Sequence, residues 1–222
     1  MSVNSIEAVL FDLDGTLIDS APDLAGAANE LRVSRGFNAL PYESFRPMVG
    51  SGARGMIEVA FDVGPQDESF AALREEFLHR YEQRMAHETR IFAAVLPLLE
   101  ALDLADRRWG IVTNKAARFT DPLVRTLGLH ERAATVIAGD TTPHSKPHPA
   151  PLLEAARRIG LLPTQCMYVG DDIRDVQAGR AAGMVTVVAG WGYLGMGEPI
   201  EAWGADHIVQ TPAELLNLLA MP

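Results

Sequence analysis

The chain is predicted to be an α/β protein with a Rossmann-like parallel sheet core and a helical cap domain inserted after the first strand. Three observations predict this. Short apolar runs recur along the sequence, amphipathic stretches separate most of them, and one long interval after the first run lacks a convincing strand. Strands alternating with helices at this spacing build a parallel sheet covered on both faces.

The first strand is the apolar run at residues 8–11. Further runs rich in Val, Ile, Leu and Tyr lie at 109–112, 134–137, 167–169, 185–189 and 207–209. Near-continuous apolar strands of this kind suit burial on both sides. Between them, 121–127, 151–159 and 175–182 read as amphipathic helices. In the long interval, 24–33, 53–61 and 70–85 carry apolar residues at helical spacing, with Gly and Pro punctuation between them. A single crossover does not need that length. The expected division is therefore a core of residues 1–17 and 86–222, and an α-helical cap of residues 18–85 over one edge of the sheet.

The 222 residues are 48% hydrophobic and 22% charged, enough for a full core and a second small domain. The formal net charge is −10, and no Lys or Arg cluster reaches the density of a nucleic-acid patch, which argues against a nucleic-acid partner. A phosphate ligand would need a local device against that charge: a metal ion, a lysine or a set of backbone N–H groups. No apolar stretch approaches the length of a membrane span, so no membrane association is expected. The first apolar run already carries Asp12 and Asp14, unlike a signal peptide, and a cytoplasmic protein is expected. Cys166 is the only cysteine, so no disulfide forms within the chain, and its apolar neighbours mark it as a small buried hydrophobe.

Four apolar runs end in, or lead to, residues able to handle phosphate or metal. The first ends in Phe11-Asp12-Leu13-Asp14-Gly15-Thr16 and the second in Val112-Thr113-Asn114-Lys115. The third leads into Ser145-Lys146-Pro147, and the fourth ends in Val169-Gly170-Asp171-Asp172. In an open parallel sheet the carboxyl ends of the strands line one edge, where ligands bind. Asp12, Asp14, Asp171 and Asp172 would then converge, and would repel each other unless a cation sat among them. Oxygen donors without His or Cys select Mg²⁺ over zinc. Lys146 adds a fixed positive charge, Thr113 a hydroxyl, and Gly15 allows close approach of the backbone. Phosphoryl transfer needs charge neutralisation, an in-line nucleophile and a proton donor for the leaving oxygen. A carboxylate can be that nucleophile. A turn or helix cap explains any one of these Asp residues alone, but capping does not call for all four motifs in this order.

Asp12-Leu13-Asp14-Gly15-Thr16, Thr113-Asn114, Ser145-Lys146-Pro147 and Gly170-Asp171-Asp172 resemble the four motifs of the haloacid dehalogenase superfamily, over nearly the whole chain. The stretch from Phe11 to Ser20, with a helical insert after it, resembles the phosphoglycolate phosphatase branch, whose insert is an α-helical cap. The resemblance implies a phosphatase acting on a small phosphorylated metabolite. Asp12 would be the nucleophile and Asp14 the general acid and base. Thr113 and Lys146 would hold the phosphoryl oxygens, with Asn114 beside them in substrate binding. Mg²⁺ would be held by Asp12, Asp171 and the backbone carbonyl of Asp14, with Asp172 and Asp175 supporting from outside. Ser51-Gly52-Ala53-Arg54-Gly55-Met56, and the segment from Trp109 to Lys115 followed by Arg118-Phe119, look especially like the N-acetylmuramic acid 6-phosphate phosphatases. A sugar phosphomutase resembling the β-phosphoglucomutase relatives is a further alternative.

Other signals carry less. Gly190-Trp191-Gly192-Tyr193-Leu194-Gly195 matches a dinucleotide-binding pattern, but Met196-Gly197-Glu198-Pro199 follows where a helix should open, so a flexible loop is expected. His144 and His148 lie among prolines that disrupt any helix aligning them. Arg54 in the insert is read as gripping a substrate carboxylate, with Arg118 sharing the work; a solvated helical arginine is the duller alternative for each.

Overall fold

A computed structural model describes residues 6–220. The chain enters through β1 (Ala8–Phe11) and β2 (Ile18–Asp19), then runs through α1 (Ala21–Ser34), α2 (Tyr42–Phe45), α3 (Gly52–Phe61) and α4 (Phe70–Arg84). It returns through β3 (Arg90–Ile91), α5 (Val95–Leu104), β4 (Arg108–Val112), α6 (Ala117–Thr126) and β5 (Val136–Ile137). The remainder is α7 (Ala150–Arg158), β6 (Cys166–Gly170), α8 (Ile173–Ala182), β7 (Val185–Ala189), β8 (His207–Val209) and α9 (Pro212–Leu218).

Side-chain alternation along the strands decides which helices cover which face. Val9, Phe11, Trp109, Ile111, Met167 and Val169 point to one side, where α5, α6 and α9 cover them with residues such as Leu98, Leu123 and Leu215. Ala8, Leu10, Val112 and Tyr168 point to the other, against Leu152 and Ala156 of α7 and Ala178 of α8. Full burial of each large apolar side chain contributes about 1.5–3 kcal/mol.

The main sheet is parallel throughout, in the order β5-β4-β1-β6-β7-β8. The chain builds outward from β1 to β4 and β5, then crosses back to β6 on the other side of β1. Ligands bind at such a switch, beyond the carboxyl ends of the strands. Here that point is the end of β1, between the ends of β4 and β6.

Helices α1, α3 and α4 bury a separate cluster that includes Leu24, Leu31, Met56 and Phe77. Phe119 and Tyr193, from segments beyond the insert, complete this cluster. The interval expected to hold no strand does contain one pairing: β2 and β3 form a two-residue antiparallel ribbon, Ile18 opposite Ile91 and Asp19 opposite Arg90. It joins the outgoing and returning chain at the base of the helical segment, and is too short to show alternation. Helix α5 was also not expected, although its buried Val95, Leu98, Leu99 and Leu102 have the spacing of a helical face. Helix α9 was likewise missed, and β5 is shorter than the apolar run that foreshadowed it.

Candidate active site

Asp12 follows β1 directly, and its backbone N–H still donates to Val169 O of β6 at 2.9 Å, which continues the ladder up to the site. The buried Lys146 comes from the loop between β5 and α7. Its Nζ lies within hydrogen-bond distance of Asp12 Oδ1 at 2.8 Å, Asp175 Oδ1 at 2.7 Å, Tyr168 Oη at 2.8 Å and Val112 O at 3.0 Å. Burial works against the ammonium charge, but Asp12 and Asp175 outweigh it and hold the Lys146 pKa up at about 12. Asp12 is pushed the other way. Burial, helped by Asp175 and Asp14, overcomes Lys146 and raises its carboxyl to about 7.

The segment after β6 explains its own spacing. Asp172 is the N-cap of α8, and its Oδ1 accepts from Arg174 N at 2.9 Å. Asp175, three residues on, accepts from Asp172 N through Oδ2 at 3.1 Å, which closes a capping box. Its other oxygen is thereby aimed at Lys146. Burial alone would raise the Asp172 carboxyl, but its bidentate pairing with Arg174 takes it below the usual carboxylate range. The cap thus accounts for Asp172, while Asp171 points into the site. Asp171 Oδ1 accepts from Thr16 Oγ1 at 3.1 Å, and Oδ2 accepts from Tyr193 N at 2.7 Å. Burial, then the Asp12 and Asp175 charges, raise the Asp171 carboxyl well above its ordinary value. Gly15 has to be glycine here: its φ is +86°, and a Cβ would fall 2.2 Å from Asp171 Oδ2.

Asp14 is held by two partners. Lys115 Nζ donates to its oxygens at 2.9 and 3.0 Å, and Ser20 Oγ donates to Oδ1 at 2.5 Å. Thr113 is buried at the end of β4, and its Oγ1 accepts from Lys115 N at 3.1 Å. Asn114 turns to Lys146: it donates to Lys146 O and accepts from Lys146 N, both at 2.9 Å. Its amide is committed to fixing the lysine loop.

Asp12, Asp14, Thr113, Asn114, Lys115, Lys146, Asp171, Asp172 and Asp175 line one cavity of about 340 Å³ between the sheet edge and the helical segment. Its far wall is apolar, with Leu24, Phe77, Leu78 and Tyr81 from α1 and α4, and Phe119 from α6. Arg74, Arg118 and Arg174 also line the cavity. Arg54 is exposed and is not among the lining residues, because α3 opens at Gly52 and turns Gly55 and Met56 inward while Arg54 faces out. Lys115, Tyr168, Arg74 and Arg174 were not singled out from sequence. Lys115 had a signal in its place directly after Thr113-Asn114. Tyr168 had one too, as a phenol in a buried strand needs a partner for its hydroxyl.

The magnesium implied by the motifs fits these residues. One oxygen from each of Asp12, Asp171 and Asp175 lies within 4.8 Å of the others, the one group of its kind among the described residues. The donors are all oxygen, as a hard cation requires, and Asp12 and Asp171 are raised by burial first and then by neighbouring carboxylate charge, which a cation would offset. The side chain of Asp14 stands outside this group, paired with Lys115.

The haloacid dehalogenase-like hydrolase family model matches residues 9–189, and the chain belongs to that family. Its relatives include a phosphoglycolate phosphatase of Xanthomonas campestris pv. campestris, 46% identical over 219 residues and covering 97% of both chains. An N-acetylmuramic acid 6-phosphate phosphatase of Pseudomonas putida is 39% identical over 214 residues and covers 96% of both. Among solved structures, a predicted phosphoglycolate phosphatase from Haemophilus somnus superimposes with a TM-score of 0.84 at 28% identity, covering 96% of this chain and 98% of that one.

Proposed function

We propose that the protein is a magnesium-dependent phosphate monoester hydrolase that works through an aspartyl-phosphate on Asp12, with phosphoglycolate as its substrate. One observation carries the chemistry: Asp12 lies at the cavity floor, paired with Lys146 at 2.8 Å and grouped with Asp171. The substrate rests on the 46% identity to the Xanthomonas phosphatase.

A carboxylate oxygen of Asp12 attacks phosphorus, and the bond from phosphorus to the ester oxygen breaks. Asp14 gives that oxygen its proton, which releases the alcohol and leaves the phosphoryl group on Asp12. Asp14, now ionised, takes a proton from water, whose oxygen attacks phosphorus and restores the Asp12 carboxylate. Lys146 and the Thr113 hydroxyl hold phosphoryl oxygens through both steps. Asp12, Asp171 and the Asp14 carbonyl would hold Mg²⁺, with Asp175 supporting beside them, and the ion when bound would supply charge neutralisation on the phosphoryl oxygens. The helical segment, residues 18–85, acts as a cap that excludes bulk water during transfer.

A second substrate has a specific observation in its favour. The cavity, at about 340 Å³, falls in the range of drug-sized pockets, about 300–1,000 Å³. Its apolar far wall offers more room and more carbon contact than a two-carbon acid needs, which favours N-acetylmuramic acid 6-phosphate. Release of free phosphate from each compound at matched concentration with Mg²⁺ decides between them through kcat/KM. No free phosphate from either, or return of the phosphoryl group to a sugar as in a mutase, would overturn the proposal.

A further inference from the structure

The segment Gly190-Trp191-Gly192-Tyr193 follows β7 and opens no helix, yet it is not a loose loop. Gly190 N donates to Val209 O at 2.8 Å, and Trp191 Nε1 donates to Thr16 O at 3.0 Å. Gly192 packs so closely on Asp171 that a Cβ there would lie 2.2 Å from Asp171 Cβ. Tyr193 is buried, and its N–H holds Asp171 Oδ2 at 2.7 Å.

The Tyr193 side chain points toward the helical cap. Its hydroxyl accepts from Ser20 N at 2.9 Å and Ala21 N at 3.1 Å, and donates to Asp19 Oδ1 at 2.9 Å. Ser20 and Ala21 are the N-cap and first residue of α1, where a helix leaves backbone N–H groups without partners. Ser20 is a residue type that normally caps its own helix. Here its hydroxyl is committed to Asp14, and α1 has no side-chain cap of its own. Tyr193 supplies the missing acceptor from 173 residues away. From the cap side, the Arg46 guanidinium lies 5.1 Å from the centre of the Tyr193 ring, and Arg46 Nη2 donates to Gly192 O at 3.4 Å.

We propose that Tyr193 is a positioning residue that couples the Asp171 carboxylate to the base of the helical cap, one end of the coupling being its backbone N–H and the other its hydroxyl. The proposal rests on the hydrolase reading for the role of Asp171, while the mechanical link stands on the contacts above. A tilt of α1 moves the N–H groups that hold the phenol, and the phenol and Asp171 are carried by one residue. The state of the cap is thereby felt at a carboxylate that would hold the metal.

Tyr193→Phe tests this, because it keeps the ring and the backbone N–H and removes only the hydroxyl. In metal-free protein, amide hydrogen exchange should speed up in two separate segments, residues 19–24 and residues 190–195. Acceleration confined to either segment, above all to 19–24 where the hydroxyl bonds directly, would overturn the coupling. With magnesium alone as the probe, calorimetry should show affinity about fivefold weaker than wild type, the size expected from losing one buried hydrogen bond. In addition kcat should fall by the same factor for a substrate that reaches the cap and for p-nitrophenyl phosphate. A purely structural role would lower the melting temperature but leave magnesium affinity and kcat unchanged, and that result also overturns the proposal. A wild-type protein that neither binds magnesium nor releases phosphate would sink the hydrolase reading, while the exchange result still decides the coupling. If Tyr193→Phe does not fold, Asp19→Asn weakens a contact of the same hydroxyl and is judged by the same two measurements.

Discussion

Lys115 Nζ lies 2.9 and 3.0 Å from the two carboxylate oxygens of Asp14 and 5.0 Å from the centre of the Tyr81 ring on α4. One ammonium therefore touches both the proposed proton donor and the cap. Burial disfavours its charge, but Asp14 and Tyr81 together raise its pKa above the ordinary lysine value. Lys115→Met keeps most of the packing and removes the charge. A charge-assisted hydrogen bond contributes about 1.5–3 kcal/mol, so kcat should drop about ten- to a hundredfold by the usual conversion. Steady-state kinetics on p-nitrophenyl phosphate would measure it, with KM expected to change little. An unchanged kcat would mean that Asp14 works without this partner.

Asp12→Asn should abolish turnover and leave the fold intact. The change is nearly isosteric, and Lys146 keeps Asp175 as a charged partner at 2.7 Å. Phosphate release and circular dichroism on the same sample provide the check. Robust multiple turnover by the folded variant would eliminate the covalent route.

Chelation by EDTA should remove activity, Mg²⁺ should restore it, and Ca²⁺ should inhibit, because its looser shell disturbs in-line geometry. Binding should also depend on pH in a defined direction. The Asp12 carboxyl is raised to about 7, so below that pH a cation must displace its proton, and above it the carboxylate is free. Magnesium affinity, measured by calorimetry, should therefore rise as pH rises through about 7, with proton release on the acid side. At a free Mg²⁺ concentration near 100 times the dissociation constant, stabilisation of about 2.7 kcal/mol is expected, and the melting temperature should rise by several degrees. An affinity that is flat with pH would contradict a site built on these carboxylates.

Arg118 and Arg54 should separate cleanly. Arg118 lines the cavity with its guanidinium 4.5 Å from the centre of the Phe119 ring, whereas Arg54 faces out of α3. Arg118→Ala should lower kcat/KM about ten- to a hundredfold for a carboxylate-bearing phosphate ester. The loss on p-nitrophenyl phosphate, which lacks that group, should be much smaller. Arg54→Ala should leave both substrates within about twofold of wild type, as surface substitutions usually do. A selective loss at Arg54 instead would mean that the cap swings it into the cavity on closure.

The chemistry-bearing residues at the strand ends were legible because their positions follow from local rules. An apolar run of four or five residues makes a buried strand, parallel strands share one carboxyl edge, and Asp12, Thr113 and Asp171 each stand directly beyond such a run. Asp172 was read as one of the converging carboxylates, and its role as the N-cap of α8, closed with Asp175 three residues on, came only with the structure. Asn114 and Arg54 were read as substrate groups, of which Asn114 lines the cavity and Arg54 does not. The commitment of Asn114 to the Lys146 backbone spans 32 residues, and the outward face of Arg54 depends on where α3 begins.

What the sequence determined by itself is the alternation of strands and helices, the helical insert and the acidic edge, because each arises from periodicity or spacing among near neighbours. What only the tertiary structure decided is who partners whom across that edge. Lys115 reaches Asp14 over 101 residues, Tyr193 caps α1 over 173, and the β2–β3 ribbon closes the base of the insert with two residues from each side. None of these pairs carries a periodic signal. Each forms because closing the sheet brings buried polar groups together, and a buried polar group left without a partner costs more than almost any local preference gains.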